Sequence, residues 1–254
     1  MHISAKNNLR TIAIVAALSA VTFGIQPAFA AENNSEPSEQ SSSSNSSAEA
    51  TSTSPVNLGT SKNYGVLAAA AVTNVGGSTI SGDLGVDPGT AITGDSMITF
   101  NSSSGVNELD AHAAQIDAAN AFDQITNIQD STVIAAELGE VTLNAGTYDS
   151  VAAFGLTGTL TLSGSENDVW IFRTPAAFTT AAASQIVLVG GAKASNVYWQ
   201  LGAAATLGAS STFAGTILAQ AAITAGAGVQ VDGRLISLGA AVTLDSDVIT
   251  VPQG

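Results

Sequence analysis

Short apolar segments, separated by Gly, Ser, Asn and Asp, follow one another along the chain from Val141 onward. Three kinds of segment recur in a fixed order. Residues 159–162 represent the first kind, residues 169–172 the second and residues 177–179 the third. Because each segment is short and lies between turn-forming residues, the pattern predicts short β-strands.

The order of these segments indicates a repeating coil. Further segments of the first kind begin at Gln185, Thr212, Gln230 and Asp247, those of the second at Val197, Thr216 and Arg234, and those of the third at Ala204, Ala222 and Ala241. The Thr residues of the third kind are 27, 18 and 19 residues apart. Three strands and their corners in a repeat of this length predict a β-solenoid. A β-sandwich also has many short strands, but it would not return them in the same order.

One segment, at about residues 107–130, has the periodicity of a helix. Its apolar residues recur at three- and four-residue spacing, namely Ala111, Ala114, Ala118, Ala121, Phe122, Ile125 and Ile128. This spacing predicts one amphipathic helix, with Asn107 and Asp110 as an N-terminal cap and with Leu109 and Ile116 outside the apolar stripe. The second kind of strand is apolar on successive residues, as in strands covered on both faces. We therefore expect Phe122 and Ile125 of the helix to pack against it.

Part of the solenoid precedes the helix in the sequence. The third kind of segment occurs twice more, at residues 71–73 and 91–93, with a turn-rich stretch at residues 82–89 between them. We expect these N-terminal coils to pair with the C-terminal ones, since each would otherwise leave an open strand edge.

The beginning of the chain has the organisation of an export signal. Within residues 1–30, Lys6 and Arg10 precede an apolar core, and Ala28-Phe29-Ala30 forms a cleavage site. A membrane anchor is the alternative, but the apolar run is short for a bilayer span. Residues 31–56 are rich in Ser, Asn, Glu and Thr and predict a disordered linker. Residues 57–254 remain as one domain, in a protein expected to be secreted and free of the membrane after cleavage.

The mature part of the chain is acidic and has no Cys. All 20 acidic residues follow position 30, where only Lys62, Arg173, Lys193 and Arg234 are basic, so the formal net charge there is 4 − 20 = −16. This charge excludes nucleic acid and anionic membrane surfaces as partners, and it also suffices to keep an extracellular protein soluble. Without disulfides, the stability of the domain depends on packing.

The sequence contains few candidates for catalytic or metal-binding residues. His112 is the single histidine after position 30, and a lone His on a helix is usually a surface residue. Two groups of carboxylates suggest calcium sites, namely Asp83, Asp87 and Asp95, and Asp245 with Asp247. Neither group has the regular spacing of calcium-binding solenoids, so turn formation explains them better. We expect no catalytic residue, no metal and no cofactor.

The third kind of segment predicts a flat surface. Alternate residues of a strand point to opposite sides, so in Ala222-Ile223-Thr224 the Ile enters the core while Ala and Thr face outward, roughly 6–7 Å apart. Stacked coils repeat this pair every 4.7–4.9 Å or so. The predicted columns are Ala71, Ala91, Ala177, Ala204, Ala222 and Ala241 beside Thr73, Thr93, Thr179, Thr206, Thr224 and Thr243. The sequence leaves open whether Ala71 and Ala91 both belong to this grid.

Several stretches of the domain resemble a known family. They are residues 57–60 (NLGT), 82–86 (GDLGV), 88–94 (PGTAITG), 168–172 (DVWIF), 196–200 (NVYWQ) and 233–234 (GR). In this order they are similar to the bacterial and fungal ice-binding proteins of the DUF3494 family. The resemblance implies a mainly β fold, a discontinuous right-handed β-solenoid of triangular cross-section with one long α-helix packed along it. It also implies that one flat face binds ice.

The Ala/Thr grid suits such a ligand. Ice has no charge and no pocket, so its recognition requires a rigid, flat and periodic surface. Thr can hold a water through its hydroxyl, and its stiff side chain loses little entropy on docking. We therefore expect a secreted monomer that binds an ice crystal surface through these columns and is not an enzyme.

Three alternatives remain at this point. Outward Thr in a strand can serve structure alone. The first kind of strand presents Thr159, Gln185, Thr212, Gln230 and Asp247, a mixed and partly charged surface that we rank second. Extracellular adhesion or carbohydrate binding would need exposed aromatic platforms, whereas Trp170 and Trp199 lie in strands expected to be buried.

Overall fold

The computed structural model describes residues 56–101 and 104–252, so the predicted signal peptide and all but the last residue of the predicted linker lie outside the described residues. Before the helix, the strands are β1 Tyr64–Ala68, β2 Ala71–Val75, β3 Ser78–Ser81, β4 Asp83–Val86, β5 Ala91–Thr93 and β6 Ile98–Phe100. Helix α1 spans Ala111–Thr126. After it come β7 Thr132–Val133, β8 Val141–Leu143, β9 Gly146–Asp149, β10 Phe154–Leu156, β11 Thr159–Ser163, β12 Trp170–Thr174, β13 Phe178–Thr180 and β14 Gln185–Val189. The last strands are β15 Val197–Leu201, β16 Ala205–Leu207, β17 Thr212–Ala219, β18 Ile223–Ala225, β19 Gln230–Ser237, β20 Val242–Asp245 and β21 Val248–Thr250. Short 3-10 turns lie at Gly59–Asn63, Asp95–Met97 and Ala194–Asn196.

The strands form the three faces of a β-solenoid, and every pairing between them is parallel. The face under the helix has the order β7-β9-β12-β15-β17-β19-β1-β4, and we call it the helix-side face. A separate sheet has the order β10-β13-β16-β18-β20-β2-β5. The third face has the order β8-β11-β14-β17-β19-β21-β3-β6. The predicted solenoid with one helix beside it is thereby confirmed.

Two glycines form the corner at which β17 and β19 pass from the third face to the helix-side face. Gly215 and Gly233 lie opposite each other in the parallel ladder. Gly215 has a φ of +113°, and a Cβ added to Gly233 would lie 1.8 Å from the carbonyl oxygen of Gly215. Glycine is therefore required for the tight approach of consecutive coils here.

The coils do not stack in the order of the sequence. Strand β2 lies between β20 and β5, and β3 pairs with β21, so the two N-terminal coils continue the stack beyond the C-terminal one. This confirms the predicted pairing of the two ends of the domain. Helix α1 then connects β6, at one end of the stack, with β7 at the other end.

A buried polar network joins the N-terminal and C-terminal coils. The Asp247 amide donates to Ser78 Oγ at 3.0 Å, and the Asp247 carboxylate accepts from the amides of Val229 and Asp245, each at 2.8 Å. Asp247 is fully buried, so its predicted outward position is wrong. Strand β21 therefore begins one residue later than predicted, at Val248, which pairs with Gln230. The Asp247 side chain instead accepts hydrogen bonds from backbone N–H groups within the buried network.

The helix is shorter than predicted but buries the predicted stripe. Residues 107–110 and 127–130 of the expected span lie outside it. Its small side chains and Ile125 pack against the outer residues of the helix-side face, namely Leu67, Ile171, Tyr198, Leu218 and Ile236, and Phe122 packs partly buried beside them. Leu109 is 95% exposed and Ile116 50% exposed, as expected for residues outside the stripe. Val56, the last residue of the predicted linker, is buried in the same cluster.

The inner side of the helix-side face supplies the largest core residues. Trp170, Phe172 and Trp199 are fully buried, as predicted for both tryptophans. The indole N–H groups of Trp170 and Trp199 donate to the carbonyls of Leu143 and Ala214. Within residues 56–101 and 104–252, no helix has the length and apolar character that a membrane crossing requires.

Candidate functional site

The sheet that lies away from the helix carries the predicted Ala and Thr columns on its outer side. In the ladder, Thr179, Thr206, Thr224, Thr243, Thr73 and Thr93 lie opposite one another in this order. Ala71 pairs with Ala91, and the carbonyls of Ala177, Ala204, Ala222 and Ala241 continue the same ladder toward the neighbouring coils. The structure therefore brings all the predicted residues together, Ala71 and Ala91 included. We call this surface the Ala/Thr face.

The residues between the two columns fill the core. Phe178, Ala205, Ile223, Val242 and Val72 are each nearly or fully buried. On the outer side, the Thr residues of β13, β16, β18 and β5 are exposed, and those of β20 and β2 are partly exposed. The alternation predicted from the sequence is thus present on six successive strands, each of which forms one level of the face.

An aromatic stack supports the Ala/Thr face from below. The rings of Phe172 and Trp199 are stacked with centroids 4.0 Å apart. Those of Trp199 and Phe178 are stacked at 4.7 Å, and Phe178 lies next to Thr179 on β13. Large stacked rings in a close-packed core resist displacement, so they hold the strand above them in place. The Thr side chains are therefore displayed on a stiff base.

Charged side chains lie at the margins of this face. Among the described residues, the six paired levels contain no charged group in either column. Asp245 and Asp95 follow the Thr positions of β20 and β5 by two residues, at the corner of the sheet. At one end of the stack, Glu137 lies opposite Gly155 of β10.

Gly155 and Glu137 are two positions of the Thr column that the sequence pattern missed. Gly155 pairs with Thr179 in the ladder, and Glu137 pairs with Gly155. Neither belongs to a segment of the third kind, in which an Ala is followed two residues later by a Thr, so the sequence pattern does not detect them. A detectable signal was the pair of alanines that precedes most levels of the column, as in Ala152-Ala153 and Ala176-Ala177.

The third face is less uniform. One of its outward columns contains Thr159, Gln185, Thr212, Gln230, Val248, Thr79 and Thr99 in register. Long, flexible Gln side chains alternate with Thr, and Asp232 is exposed two residues after Gln230. Ordering Gln side chains on docking costs more entropy than ordering Thr. This face is therefore a poorer template for a periodic ligand.

No metal centre is evident in the part of the chain that the structure describes. No three His, Asp or Glu residues among the described ones are placed to hold a metal ion. Asp83 accepts from Asn107, while Asp87 contacts His112 on the exposed helix surface at 2.9 Å. A polar groove of about 840 Å³ is lined by Arg234, whose Nε donates to the carbonyl of Lys62 and so serves the packing of the chain.

The chain is similar to known proteins in both sequence and structure. The sequence matches the family described as Ice-binding-like over residues 66–250. It is 38% identical over 197 residues to an ice-binding protein of Nostoc sp. (strain HG1), covering 76% of this chain and 73% of the relative. The crystal structure of an ice-binding protein from the Antarctic ascomycete Antarctomyces psychrotrophicus is similar at a TM-score of 0.74 and 37% identity, covering 78% of this chain and 99% of that one. The DUF3494 domain of the Shewanella frigidimarina ice-binding protein is similar at a TM-score of 0.71 and 28% identity, covering 78% and 98% of the two chains.

Proposed function

The chain belongs to the Ice-binding-like family, and on that premise we propose that it is an ice-binding protein whose Ala/Thr face adsorbs to ice. One observation carries the choice of this face. Six Thr residues lie in register on consecutive parallel strands, each beside an Ala of its own level. Adsorption there would inhibit recrystallisation or shape the growing crystals.

The mechanism follows from the geometry of this face. Parallel strands repeat about every 4.7–4.9 Å, and alternate residues along a strand lie roughly 6–7 Å apart, so the methyl and hydroxyl groups form a two-dimensional lattice. Water ordered by such a lattice has a periodicity of its own and can merge with an ice surface. The β-branched Thr side chains start with few rotamers and are backed by close packing, so little conformational entropy is lost on adsorption.

The burial of both tryptophans disfavours carbohydrate binding. Sugar platforms use exposed aromatic rings, but Trp170 and Trp199 are fully buried. Their indole N–H groups are also occupied by backbone carbonyls. An adhesion module built on these rings is therefore not supported.

The protein would act outside the cell. Residues 1–30 would be removed on export, residues 31–56 would act as a linker, and the solenoid domain would work as a secreted monomer without enzymatic activity or cofactor. The acidic surface would keep it soluble beside the uncharged face.

Ice affinity partitioning of the mature protein tests this function. We expect the wild type to enter slowly growing ice, while Thr206→Tyr and Thr224→Tyr remain largely in the liquid because a bulky ring disturbs the flat grid. Thr212→Tyr is the matched control, since the same change is made on the exposed first residue of β17, on the third face. Circular dichroism confirms that each variant is folded. Exclusion of the wild type from ice would refute the function, and equal loss in Thr212→Tyr would refute the choice of face.

A further inference from the structure

The two columns of the Ala/Thr face have different lengths. Ala153 stands one residue before the inward Phe154, whose amide donates to the carbonyl of Ala177, so it continues the Ala column beyond Ala177. The Thr column does not continue with it. Its next two positions are occupied by Gly155 and Glu137. The face therefore has seven levels of Ala but six of Thr.

The side chain of Glu137 folds over the gap left by Gly155. Glu137 Oε1 accepts from the amide of Thr157 at 2.8 Å and from the amide of Gly139 at 3.1 Å. A Cβ added to Gly155 would meet Glu137 Oε2 at 2.8 Å, so the carboxylate covers the place where the seventh Thr would stand. The backbone does not require glycine there, because Gly155 lies within the regular strand β10 and its φ is not in the left-handed region.

We propose that Glu137 and Gly155 terminate the ice-binding array, so that the protein engages ice over the six levels from Thr179 to Thr93. The inference rests on the proposed function and adds a residue that limits it. The hydrogen bonds of Glu137 run to the amides of Thr157 and Gly139, outside the six levels that carry both Ala and Thr. Glu137 acts by presenting a charge and by covering the vacant position next to these levels.

A carboxylate at this end of the face opposes contact with ice. An ionised group needs water that can reorient around it, and transferring a charge into an environment that cannot solvate it is costly. Water in an ice lattice is fixed by its neighbours and cannot reorganise in this way. The contact should therefore stop before Glu137, although the strand pairing extends to its level.

A pair of matched variants separates this role from the structural one. Glu140 lies at the same end of the stack, and its Oε1 accepts from the amide of Thr159 at 3.1 Å, but it aligns with the third face. Both Glu137→Gln and Glu140→Gln remove one charge and retain an acceptor for the backbone amide. We expect thermal hysteresis at equal molar concentration to rise in Glu137→Gln and to stay at the wild-type value in Glu140→Gln.

A double variant tests the extension of the column directly. Glu137→Thr with Gly155→Thr would give eight levels of Thr in place of six, and hysteresis should rise about 1.3-fold if it follows the apolar area brought against ice. Because the Gln pair preserves the backbone bonds, it decides the question even if the double variant melts early. Equal hysteresis in wild type, Glu137→Gln and Glu140→Gln would overturn the inference while wild-type entry into ice upheld the proposed function. Exclusion of the wild type from ice would overturn both.

Discussion

Arg173 and Asp149 face each other across two paired strands, and their bidentate ion pair fastens the C-terminal end of the helix to the solenoid. Arg173 Nε donates to Asp149 Oδ1 at 2.6 Å, and Nη2 donates to Oδ2 at 2.8 Å. The remaining nitrogen, Nη1, donates to the carbonyls of Ile125 and Ile128 at 2.9 and 2.8 Å. One guanidinium thus caps the Ile125 carbonyl of the last helical turn and the Ile128 carbonyl just beyond the helix. These bonds from Arg173 also lower the pKa of Asp149.

Replacing Arg173 should destabilise the domain strongly. The Arg173 side chain is only 14% exposed, so Arg173→Ala removes two hydrogen bonds to a partly buried carboxylate and the bonds to the carbonyls of Ile125 and Ile128. We expect the free energy of unfolding to fall by about 2–4 kcal/mol, measured by urea denaturation. The control is Lys193→Ala, which breaks the exposed pair with Glu166 and should cost less than about 1 kcal/mol. Equal losses in the two variants would contradict the tethering role.

Asp247 should make the stability of the domain depend on pH. Burial raises its pKa from the ordinary 3.8 to about 6, although two backbone N–H bonds act in the opposite direction. The folded state therefore binds this proton more tightly than the unfolded state. The resulting stabilisation is complete below the unfolded pKa and is lost as the pH rises through about 6.

The variant Asp247→Asn isolates this contribution, because it cannot titrate. Between pH 4 and pH 7, the wild type should lose on the order of 2–3 kcal/mol of stability relative to Asp247→Asn. Asp149→Asn provides the opposite case, since the pKa of Asp149 is lowered in the folded state and its stabilisation is lost as the pH falls. Urea denaturation at several pH values measures both. Parallel pH profiles for wild type and Asp247→Asn would rule out the predicted titration.

The corner glycines should not tolerate a side chain. In Gly233→Ala, the new Cβ would collide with the Gly215 carbonyl oxygen, a backbone atom that cannot move without shifting the neighbouring coil. We expect a loss of about 3 kcal/mol or more, or failure to fold, observed as a lower melting temperature. Gly77→Ala is the matched control, because no heavy atom lies within 4 Å of a Cβ at that position. Similar melting temperatures for the two variants would show that the corner is more adaptable than its geometry indicates.

The methyl and hydroxyl groups of the Thr column can be distinguished at Thr224. Thr224→Val keeps the branched, stiff side chain, whereas Thr224→Ser loses the methyl group and gains rotamer freedom. We expect Thr224→Ser to lose about half of the hysteresis or more and Thr224→Val to lose less, because rigidity limits the entropy lost on adsorption. Hysteresis is measured at equal concentration after confirming equal melting temperatures. A larger loss in Thr224→Val would show that the hydroxyl, and not the rigid methyl surface, dominates the contact.

The pattern along the chain was sufficient to predict the elements and the face. The alternation around Ile223 placed Ala222 and Thr224 outward, and the spacing of the apolar residues near Ile125 predicted the helix and the strands it covers. These features are local, since strand and helix periodicities are fixed by backbone geometry within a few residues.

Long-range pairing decided the rest. Asp247 was predicted to face outward because its segment resembles the others. In the structure its amide donates to Ser78 Oγ in a buried polar network, and strand β21 begins one residue later. Near the C-terminal end of the helix, Arg173, which is distant in sequence, donates to the carbonyls of Ile125 and Ile128.

The amino-acid sequence by itself therefore determined most of the coils and most of their outward residues, with Asp247 as an exception, because those choices depend on neighbours one to four positions away. The tertiary structure alone decided the register in which distant coils meet and where the Thr column stops. Thr243 lies beside Thr73, and Gly155 lies beside Glu137, through ladder pairings. Pairing between distant strands depends on how the whole stack excludes water and satisfies its backbone groups, which no local pattern encodes.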